Sequence, residues 1–217
     1  MDGNRRWAQQ HGVSPGEGHR EGIRAVRRTM DAALDRGLEV ITIFAFSTEN
    51  WTRPQSEVEQ IMALLGYALD VEFRDLESRR VRFAVSGRMD NVPGELAAKL
   101  RASVARTSAN SGATLNLAFN YGARAEIVDA VKSIVRDGLP AEAIDEQAMS
   151  QRMYTAGLPD PDLVIRSGGE SRISNFLLWQ SAYAEFYVSQ TLWPDFRAED
   201  LDLAMQAYTA RQRRFGR

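Results

Sequence analysis

Patterns typical of helices and patterns typical of strands alternate along the chain, and this alternation restricts the possible fold more than any other feature. The clearest strand is 38–46, a continuous β-branched and aromatic run of the kind that is covered on both faces of a sheet. It lies between two segments, 18–36 and 56–80, whose apolar residues recur at helical spacing. Further strands are predicted at 81–86, 113–119, 162–166 and 184–189, and further helices at 93–108, 124–135 and 199–214.

Strands that alternate with helices of this length predict an α/β fold with an open, mostly parallel sheet flanked by helices. No linker rich in proline, serine or glycine divides the 217 residues, so we expect a single domain over 1–217. Ligands of such sheets bind beyond the carboxyl ends of the strands. This rule nominates four segments: the start of the chain, 47–54, 120–124 and 167–175.

The composition excludes several classes of function. The chain has no cysteine, which rules out disulfides and thiolate catalysis. Its net charge of −2 provides no general attraction to nucleic acid, so we expect no nucleic-acid partner. Because no signal-peptide pattern opens the sequence and the longest apolar run, 40–46, is too short to span a bilayer, we expect a soluble, cytoplasmic protein.

The start of the chain is the segment richest in groups that bind phosphate and metal ions. Asp2 offers a carboxylate, which suits Mg²⁺, and Gly3 offers a backbone amide that an anion can approach closely. Asn4, Arg5 and Arg6 add an amide and two guanidinium groups, which suit phosphate oxygens. The segment therefore predicts a site that holds a diphosphate together with a divalent cation.

Segment 167–175 is a glycine-rich loop of similar chemical character. Two adjacent glycines allow its backbone amides to approach an anion. Arg166, Arg172 and Ser174 supply further donors, and a helix expected after the loop would add its positive amino end. The loop lacks the complete pattern of a P-loop or of a dinucleotide fingerprint. It predicts a phosphate site, and the alternative is a surface turn with incidental arginines.

Segment 47–54 is open to two interpretations. Its position after the most apolar strand favours a functional loop, whereas Pro54 near the start of the next helix favours a simple capped turn. Three strand-end clusters that each offer arginine and small polar donors together predict two anionic groups bound side by side, with Asp2 as the metal anchor. Glu185, at the start of a strand, is a candidate second carboxylate, and the alternative is a solvated charge beside an aromatic strand.

The sequence resembles the cis-prenyltransferases, and most closely the undecaprenyl diphosphate synthase type of isoprenyl transferase. The matching blocks, in order over residues 2–215, are MDGNRRWA, the pair Gly18-His19, FSTENWTRP, LNLAFNYG, DLVIRSGGESRISNFLLWQ, AYAEFY and LWPDF. The resemblance implies a Mg²⁺-dependent enzyme that condenses isopentenyl diphosphate repeatedly onto an allylic diphosphate, with farnesyl diphosphate as the expected primer. Each step would add a cis double bond. The resemblance also implies a homodimer, and release of the lipid product suggests a transient membrane contact.

Transferred by position, the resemblance gives a role to each candidate residue. Asp2 would hold the metal together with Glu185 and assist departure of the allylic diphosphate, and Asn50 would handle the proton that is lost. The allylic diphosphate would bind at Gly3, Asn4, Arg5, Arg6, Trp7 and His19. Isopentenyl diphosphate would bind at Arg166, Arg172, Ile173 and Ser174, with Ser47, Thr48, Glu49, Trp51 and Arg53 beside the site.

The chemistry of these groups narrows two of the roles. Ionisation of an allylic diphosphate builds charge on the leaving group, and cations and fixed N–H donors stabilise that charge. Because an amide is a poor base, we expect Asn50 to position substrate while a diphosphate oxygen takes the proton. His19 is expected to act as a neutral donor to diphosphate, the alternative being an acid or base.

An apolar product needs an apolar space. The helical stripes within 23–34 and 58–76 are expected to border a product tunnel, and the alternative is ordinary core packing. Ala45, which is small and next to the site, leaves room for a growing chain, and Leu115 is expected to lie deeper. Neither residue fixes the length of the product.

Three departures from the family pattern bear on these assignments. Pro15 stands where the family has arginine, so Arg20 or Arg24 would compensate. Ser171 stands where some members have a histidine that joins the metal ligands. The apolar strand that precedes the first motif in the family is missing, and we expect it in a longer form of the chain.

The residues also distinguish this function from three alternatives. A catalytically silent partner subunit would lack the metal carboxylate or the isopentenyl-site residues, whereas this chain has Asp2, Asn50 and Arg166. A trans-prenyltransferase would need DDxxD motifs and an all-α fold. A nucleotide-binding α/β protein would need a glycine fingerprint that is absent. The residues therefore favour the cis-prenyltransferase.

Overall fold

The computed structural model describes residues 1–74, 76 and 78–211 and confirms the predicted alternation of strands and helices. The helices are α1 (Asn4–Gln10), α2 (Pro15–Asp35), α3 (Gln55–Tyr67), α4 (Gly94–Thr107), α5 (Ala123–Arg136), α6 (Glu146–Ser150) and α7 (Ala198–Ala210). The strands are β1 (Val40–Ser47), β2 (Arg82–Ser86), β3 (Thr114–Tyr121), β4 (Leu163–Arg166) and β5 (Glu185–Val188). Every pairing between described strands is parallel, which confirms the α/β fold class.

The strands form two parallel sheets in the described part of the chain rather than one open sheet. The larger sheet has the order β1-β3-β2, and the smaller sheet pairs β4 with β5. All eight residues of the central strand β3 are buried. The side chain of Asn116 in β3 accepts a hydrogen bond from Ser86 of β2 at 3.0 Å and donates to Thr42 of β1 at 3.3 Å. This buried amide links all three strands of the larger sheet.

Two bulges alter the carboxyl ends of β1 and β3. Ala45 in β1 and Asn120 in β3 have no partner in the β1–β3 register. Because an extra residue reverses the alternation of side chains, Phe46 packs in the main core with Ile43, whereas Phe44 packs against the opposite cluster. The bulges lie where β1 leads into segment 47–54, so they determine which side chains approach the candidate site.

Two predicted helices differ from the structure. The predicted helix 56–80 ends at Tyr67 and continues as one π-helical turn, Ala68–Glu72, followed by turns among the described residues. Phe73 and Leu76 are buried nevertheless, so their spacing reflected burial and not a continuous helix. The helix expected after 167–175 is absent, because residues 176–183 form turns. The predicted end of the last helix, 212–214, lies outside the described residues.

Local signals explain where α2 begins. Ser14 caps the helix through a reciprocal pair of hydrogen bonds with Glu17, and Pro15 occupies the first helical position, where its missing N–H costs nothing. The apolar face of α2 then packs against the larger sheet, together with α3 and α4, in the main core. Within the described part of the chain, no helix combines the length and apolar character needed to cross a membrane.

Candidate active site

Asp2 joins the start of the chain to the end of β4. Its carboxylate accepts a hydrogen bond from Nη2 of Arg166 at 2.9 Å. Its amide donates to the Ser167 hydroxyl at 2.9 Å, and that hydroxyl lies 3.2 Å from the Asp2 carbonyl oxygen. The same carbonyl oxygen accepts a hydrogen bond from the Trp193 amide at 2.9 Å. Two clusters that are distant in sequence therefore form one site.

The Asp2 carboxylate is ionised and reachable. Its burial alone would raise its pKa, but the hydrogen bond and positive charge of Arg166 outweigh burial and hold the pKa below its ordinary value. The side chain is 35% exposed. A partly exposed carboxylate with a lowered pKa is a suitable ligand for a divalent cation.

Arg6 lies over the glycine loop. Its Nη2 atom is 3.7 Å from the Asp2 carboxylate. A Cβ atom at Gly168 would stand only 2.6 Å from the same Nη2, and Gly168 has a φ of +83°. Glycine is needed there both for its backbone conformation and for the close approach of a guanidinium group. Gly3 has a φ of +104°, and a Cβ there would lie 2.7 Å from Leu192.

Three basic side chains, two arginines and a histidine, converge on Glu57, a residue that the sequence interpretation missed. Its carboxylate is 3.0 Å from Arg53, 3.6 Å from His19 and 3.8 Å from Arg5. Glu57 is only 11% exposed. The available signal was its position in the first turn of α3, four residues after Arg53. Glu57 brings together basic residues that the resemblance assigned to two different substrates.

His19 is neutral in this arrangement. Its burial and the nearby charge of Arg53 lower its pKa, and the opposing charge of Glu57 does not compensate. The Nε2 atom is buried and has no hydrogen-bond partner. The structure thus favours a neutral donor at His19.

Asn4 provides a second buried polar atom without a partner, its Oδ1. Asn4 reaches this position because α1 packs directly on two glycines of α2. A Cβ at Gly22 would lie 2.4 Å from Asn4 Oδ1, and a Cβ at Gly18 would lie 2.3 Å from the Asn4 carbonyl oxygen. Unpaired polar atoms of this kind are available for a ligand.

An apolar cleft adjoins Asn4 and His19, in the position predicted for the product tunnel. It has an empty volume of about 590 Å³, part of which opens to solvent. Both helical stripes contribute to its lining, and Ala45 does so as well. The lining residues are Met1, Asn4, His19, Gly22, Ile23, Val26, Ile43, Ala45, Ile61, Leu64, Leu65, Ala68, Phe73, Leu117, Phe119 and Trp193. Leu115 is not one of them; it is fully buried in the core.

Segment 47–54 forms a capped 3₁₀ turn over Thr48–Thr52, so the capped-turn interpretation is correct for its backbone. The Asn50 Oδ1 atom accepts a hydrogen bond from the Ser47 amide at 3.1 Å. Trp51 donates from its indole nitrogen to Asn120 Oδ1 at 2.7 Å. The Trp51 ring also meets the Phe46 ring edge-on at 5.2 Å. The turn thereby leads from the end of β1 to Arg53, one of the three basic side chains around Glu57.

Thr48 and Glu49 face the loop 167–175. The Glu49 carboxylate accepts hydrogen bonds from Thr48 at 3.2 Å and from the Asn175 side chain at 2.8 Å. Burial alone would raise the pKa of Glu49, but these hydrogen bonds, with that from Asn175 first, lower it. Asn175 and Asn120 lie in two of the nominated segments, but neither was given a role from the sequence. Both are asparagines with positive φ, 60° and 47° respectively.

The donors predicted for the second diphosphate lie on the loop 167–175 and at its start. Arg166 donates from Nη1 to the Ser174 hydroxyl at 2.6 Å and to the Arg172 carbonyl oxygen. Arg172 is 65% exposed and is paired with Glu170 at 2.6 Å. Because turns follow the loop, no helix adds a positive amino end here, contrary to prediction. Ile173 borders a separate small pocket with Val164 and Phe186.

Glu185 is not brought to Asp2. It pairs with Leu163 at the amino end of β5, whereas Arg166, which bonds Asp2, is at the carboxyl end of β4. Side-chain alternation also directs Glu185 and Arg166 to opposite faces of the pair. Glu185 forms an ion pair with Arg211 instead. Within residues 1–74, 76 and 78–211, no three His, Asp or Glu side chains are grouped to hold a metal ion.

Three further predicted positions lie apart from this cluster. Trp7 stacks on His11, with ring centroids 4.1 Å apart, and does not line the cleft. Ser171 borders the same small pocket as Ile173. At the position of Pro15 no cation is possible, and Arg24 is paired with Glu21 at 3.0 Å. The cations beside His19 are Arg5 and Arg53 instead.

The chain is similar to known proteins of one enzyme family. Residues 1–216 match the family model "Putative undecaprenyl diphosphate synthase". An isoprenyl transferase of Fusobacterium nucleatum subsp. nucleatum is 47% identical over 216 residues, which cover 100% of this chain and 93% of the relative. The ditrans,polycis-undecaprenyl-diphosphate synthase ((2E,6E)-farnesyl-diphosphate specific) of Escherichia coli is 45% identical over 220 residues, which cover 100% of this chain and 87% of the relative. A solved structure of lavandulyl diphosphate synthase from Lavandula x intermedia, in complex with dimethylallyl diphosphate, matches with a TM-score of 0.96 and 34% identity and covers 100% of this chain and 95% of that chain.

Proposed function

The chain belongs to the undecaprenyl diphosphate synthase family of prenyltransferases, and on this premise we propose that its residues form two adjoining diphosphate sites beside an apolar cleft. It is an isoprenyl transferase that elongates a prenyl diphosphate with cis double bonds. The observation that carries the two-site proposal is the hydrogen bond between Asp2 and Arg166. It joins the cluster at the chain start to the loop 167–175.

The position of the apolar cleft supports one assignment of the two diphosphates to the two sites. Asn4 and His19 border the cleft, whereas Arg166, Arg172 and Ser174 do not. The growing hydrocarbon chain belongs to the allylic substrate and needs the apolar space. The allylic diphosphate is therefore assigned to Gly3, Asn4, Arg5, Arg6 and His19, and isopentenyl diphosphate to Arg166, Arg172 and Ser174. Farnesyl diphosphate is the proposed primer, since the Escherichia coli relative is named as specific for it.

The proposed reaction breaks the allylic carbon–oxygen bond and sends its electron pair to the departing diphosphate. The double bond of isopentenyl diphosphate then attacks the allylic carbon, and the proton that is lost passes to a diphosphate oxygen. Arg5 and Arg6 hold the departing diphosphate, and neutral His19 donates from Nε2. Asn50 positions substrate, because its Oδ1 atom is already bonded to the Ser47 amide and cannot act as the base.

Mg²⁺ is the proposed cofactor, and Asp2 is the residue that would hold it. A single partly exposed carboxylate fits Mg²⁺, which commonly binds through one or two carboxylates together with substrate phosphates and water. When bound, the cation would neutralise charge on the departing diphosphate. Glu185 has no part in this proposal, since it lies away from Asp2 and pairs with Arg211.

The proposal also covers the assembly and the location of the protein. We propose one domain, because ion pairs such as Arg36–Asp202 and Asp2–Arg166 join distant parts of the chain. A homodimer in the cytoplasm, with a transient membrane contact at product release, accords with the family. The exposed apolar side chains of Val128, Val131 and Val135 on α5 offer a surface for association. Light scattering after gel filtration tests the dimer.

The function is tested by incorporation of labelled isopentenyl diphosphate with farnesyl diphosphate as primer. Wild-type protein is expected to form a polyprenyl product that EDTA prevents and Mg²⁺ restores. Asp2→Asn is expected to lower kcat about a thousandfold, because it removes the charge that holds the cation. The matched control is Asp202→Asn, which also breaks an aspartate–arginine pair but on the surface. Absence of wild-type incorporation, or equal rates in Asp2→Asn and wild type, would contradict the proposal.

A further inference from the structure

Asn175 links three of the four strand-end segments. Its side-chain Nδ2 donates to the Glu49 carboxylate at 2.8 Å, which reaches segment 47–54. Its Oδ1 atom accepts a hydrogen bond from the Arg124 amide at 2.9 Å, and its carbonyl oxygen accepts one from the Ala123 amide at 2.9 Å. These two bonds reach the first two residues of α5, directly after β3. Asn175 itself ends the loop 167–175, so all of its polar side-chain atoms are used between loops.

The segments are in close contact at Gly122. Gly122 lies in segment 120–124, where it faces Thr48 and the Asn175 side chain. A Cβ atom at Gly122 would stand 2.6 Å from Thr48 Oγ1 and 2.9 Å from Asn175 Nδ2. Both atoms belong to side chains that would have to move to admit a larger residue, so the approach at Gly122 is closer than a Cβ atom would ordinarily allow. The three segments are thus packed against one another and not merely close.

The backbone around Asn175 needs such support. Ser174, Asn175 and Leu177 have φ values of 52°, 60° and 43°. Asparagine adopts the left-handed region readily, whereas serine and leucine do so at a cost that neighbouring contacts must offset. The hydrogen bonds from the Ala123 and Arg124 amides hold Asn175, which lies within this stretch, in place. Without these bonds the loop would relax toward less strained conformations.

The strained stretch carries a proposed substrate donor. Ser174 precedes Asn175, and its hydroxyl is bonded to Arg166 at 2.6 Å. Arg166 in turn holds the Asp2 carboxylate. A shift of Ser174 would therefore disturb the donors assigned to isopentenyl diphosphate and leave Arg5 and His19, on the other side of the site, in place.

We propose that Asn175 is a positioning residue for isopentenyl diphosphate: by bonding Glu49, Ala123 and Arg124 it fixes the loop 167–175 in the conformation that presents Ser174 and Arg166. This inference rests on the proposed function, since it concerns the same second diphosphate site. It predicts that variants of Asn175 change the KM for isopentenyl diphosphate and not the KM for the allylic substrate. A merely structural role would weaken the binding of both substrates.

The test compares steady-state kinetics for both substrates in a set of variants. Asn175→Asp keeps the size and the acceptor for Arg124 but sets a carboxylate against Glu49. It is expected to raise KM for isopentenyl diphosphate about tenfold or more, because a hydrogen bond to a charged group is lost. KM for farnesyl diphosphate should stay within about twofold. Asn175→Ala should change the same constants in the same direction.

Two further variants separate positioning from other effects. In the double variant Glu49→Gln with Asn175→Asp, the amide and the carboxylate exchange places, so the hydrogen bond can form again and KM should return to within about threefold of wild type. Asn91→Ala is the matched control, because Asn91 is exposed and also has a positive φ of 62°. It should leave both constants unchanged.

Each outcome has one meaning. Unchanged KM in both Asn175 variants, an equal loss for both substrates, or no recovery in the double variant would overturn the inference. Calorimetric titration of isopentenyl diphosphate onto the unreacted protein separates this failure from the failure of the function. If the wild type neither binds nor incorporates isopentenyl diphosphate, the proposed function is wrong. If the wild type does both and the variants match it, only the role of Asn175 is wrong.

Discussion

Replacement of Trp51 by phenylalanine tests how the turn beside the site is held. The Trp51 indole donates to Asn120 Oδ1 at 2.7 Å. Asn120 is 3% exposed, and its Nδ2 atom donates to the carbonyl oxygens of Arg88 and Asp90, each at 2.9 Å. All three hydrogen bonds of the amide are therefore made to protein. Trp51→Phe keeps an aromatic ring beside Phe46 and leaves one buried acceptor without a partner.

The cost follows from these contacts. An unsatisfied buried acceptor lowers the free energy of unfolding by about 1–3 kcal/mol, and this is the expected effect of Trp51→Phe. Asn120→Ala removes three hydrogen bonds and places alanine at a φ of 47°, so about 3–5 kcal/mol is expected. Because both changes remove the same bond, the double variant should cost less than their sum, by about 1–2 kcal/mol.

Urea unfolding of the four proteins in this cycle measures the coupling. The matched control is Trp179→Phe, because the Trp179 indole donates at 3.0 Å to Ser150 at an exposed position, where water replaces the bond. A cost below about 0.5 kcal/mol is expected for that control. Strictly additive effects of Trp51→Phe and Asn120→Ala would refute the argument. So would equal costs for Trp51→Phe and Trp179→Phe.

Three other properties of the protein can be predicted from single positions. Burial lowers the pKa of His19 below its ordinary value of 6.5, so the unfolded chain binds more protons than the folded protein as the pH falls past that value. Acidification should therefore destabilise the wild type more than His19→Gln. Urea unfolding at about pH 5.5 and 7.5 would show this difference. Gly66→Ala, in open space on α3, should stabilise by about 0.5–1 kcal/mol, whereas Gly22→Ala should destabilise because its Cβ would lie 2.4 Å from Asn4; equal thermal shifts would contradict this. Ala45→Leu should shorten the product, because Ala45 lines the cleft, and chromatography of the lipids with an unchanged length would oppose that.

Most of the fold could be predicted from the sequence, because helical and strand periods are local properties. The strands 38–46 and 113–119 correspond to β1 and β3 within two residues at each end. The secondary-structure predictions fail where buried residues do not have the backbone conformation that their spacing indicates. Phe73 and Leu76 continue a helical spacing but reach the core from turns. The bulges at Ala45 and Asn120 depend on how β1 pairs with β3, and this register cannot be read from the sequence of either strand alone.

The candidate site was predictable in its chemistry but not in its connections. Residue types alone indicated that Asp2, Arg6 and Arg166 would suit a diphosphate and a cation. Glu57 and Asn175 were missed because their importance comes from partners in other segments. Glu185 was predicted as a second metal ligand from its residue type, but in the structure it lies at the far end of the β4–β5 pair from Arg166 and forms an ion pair with Arg211.

The sequence by itself determined the α/β class and the family, and it nominated the side chains that are proposed to bind phosphate, since periodicity and motif composition are carried by contiguous residues. Only the tertiary structure decided which of these side chains meet. It brought Asp2 to Arg166 and placed Glu185 on the other face of the β4–β5 pair. It also put the cleft beside Asn4 and His19, which supports the proposal that the growing chain belongs to the diphosphate bound there. The physical reason is that hydrogen bonds, ion pairs and cavities act over a few ångströms, and only the folded chain sets which distant residues come that close.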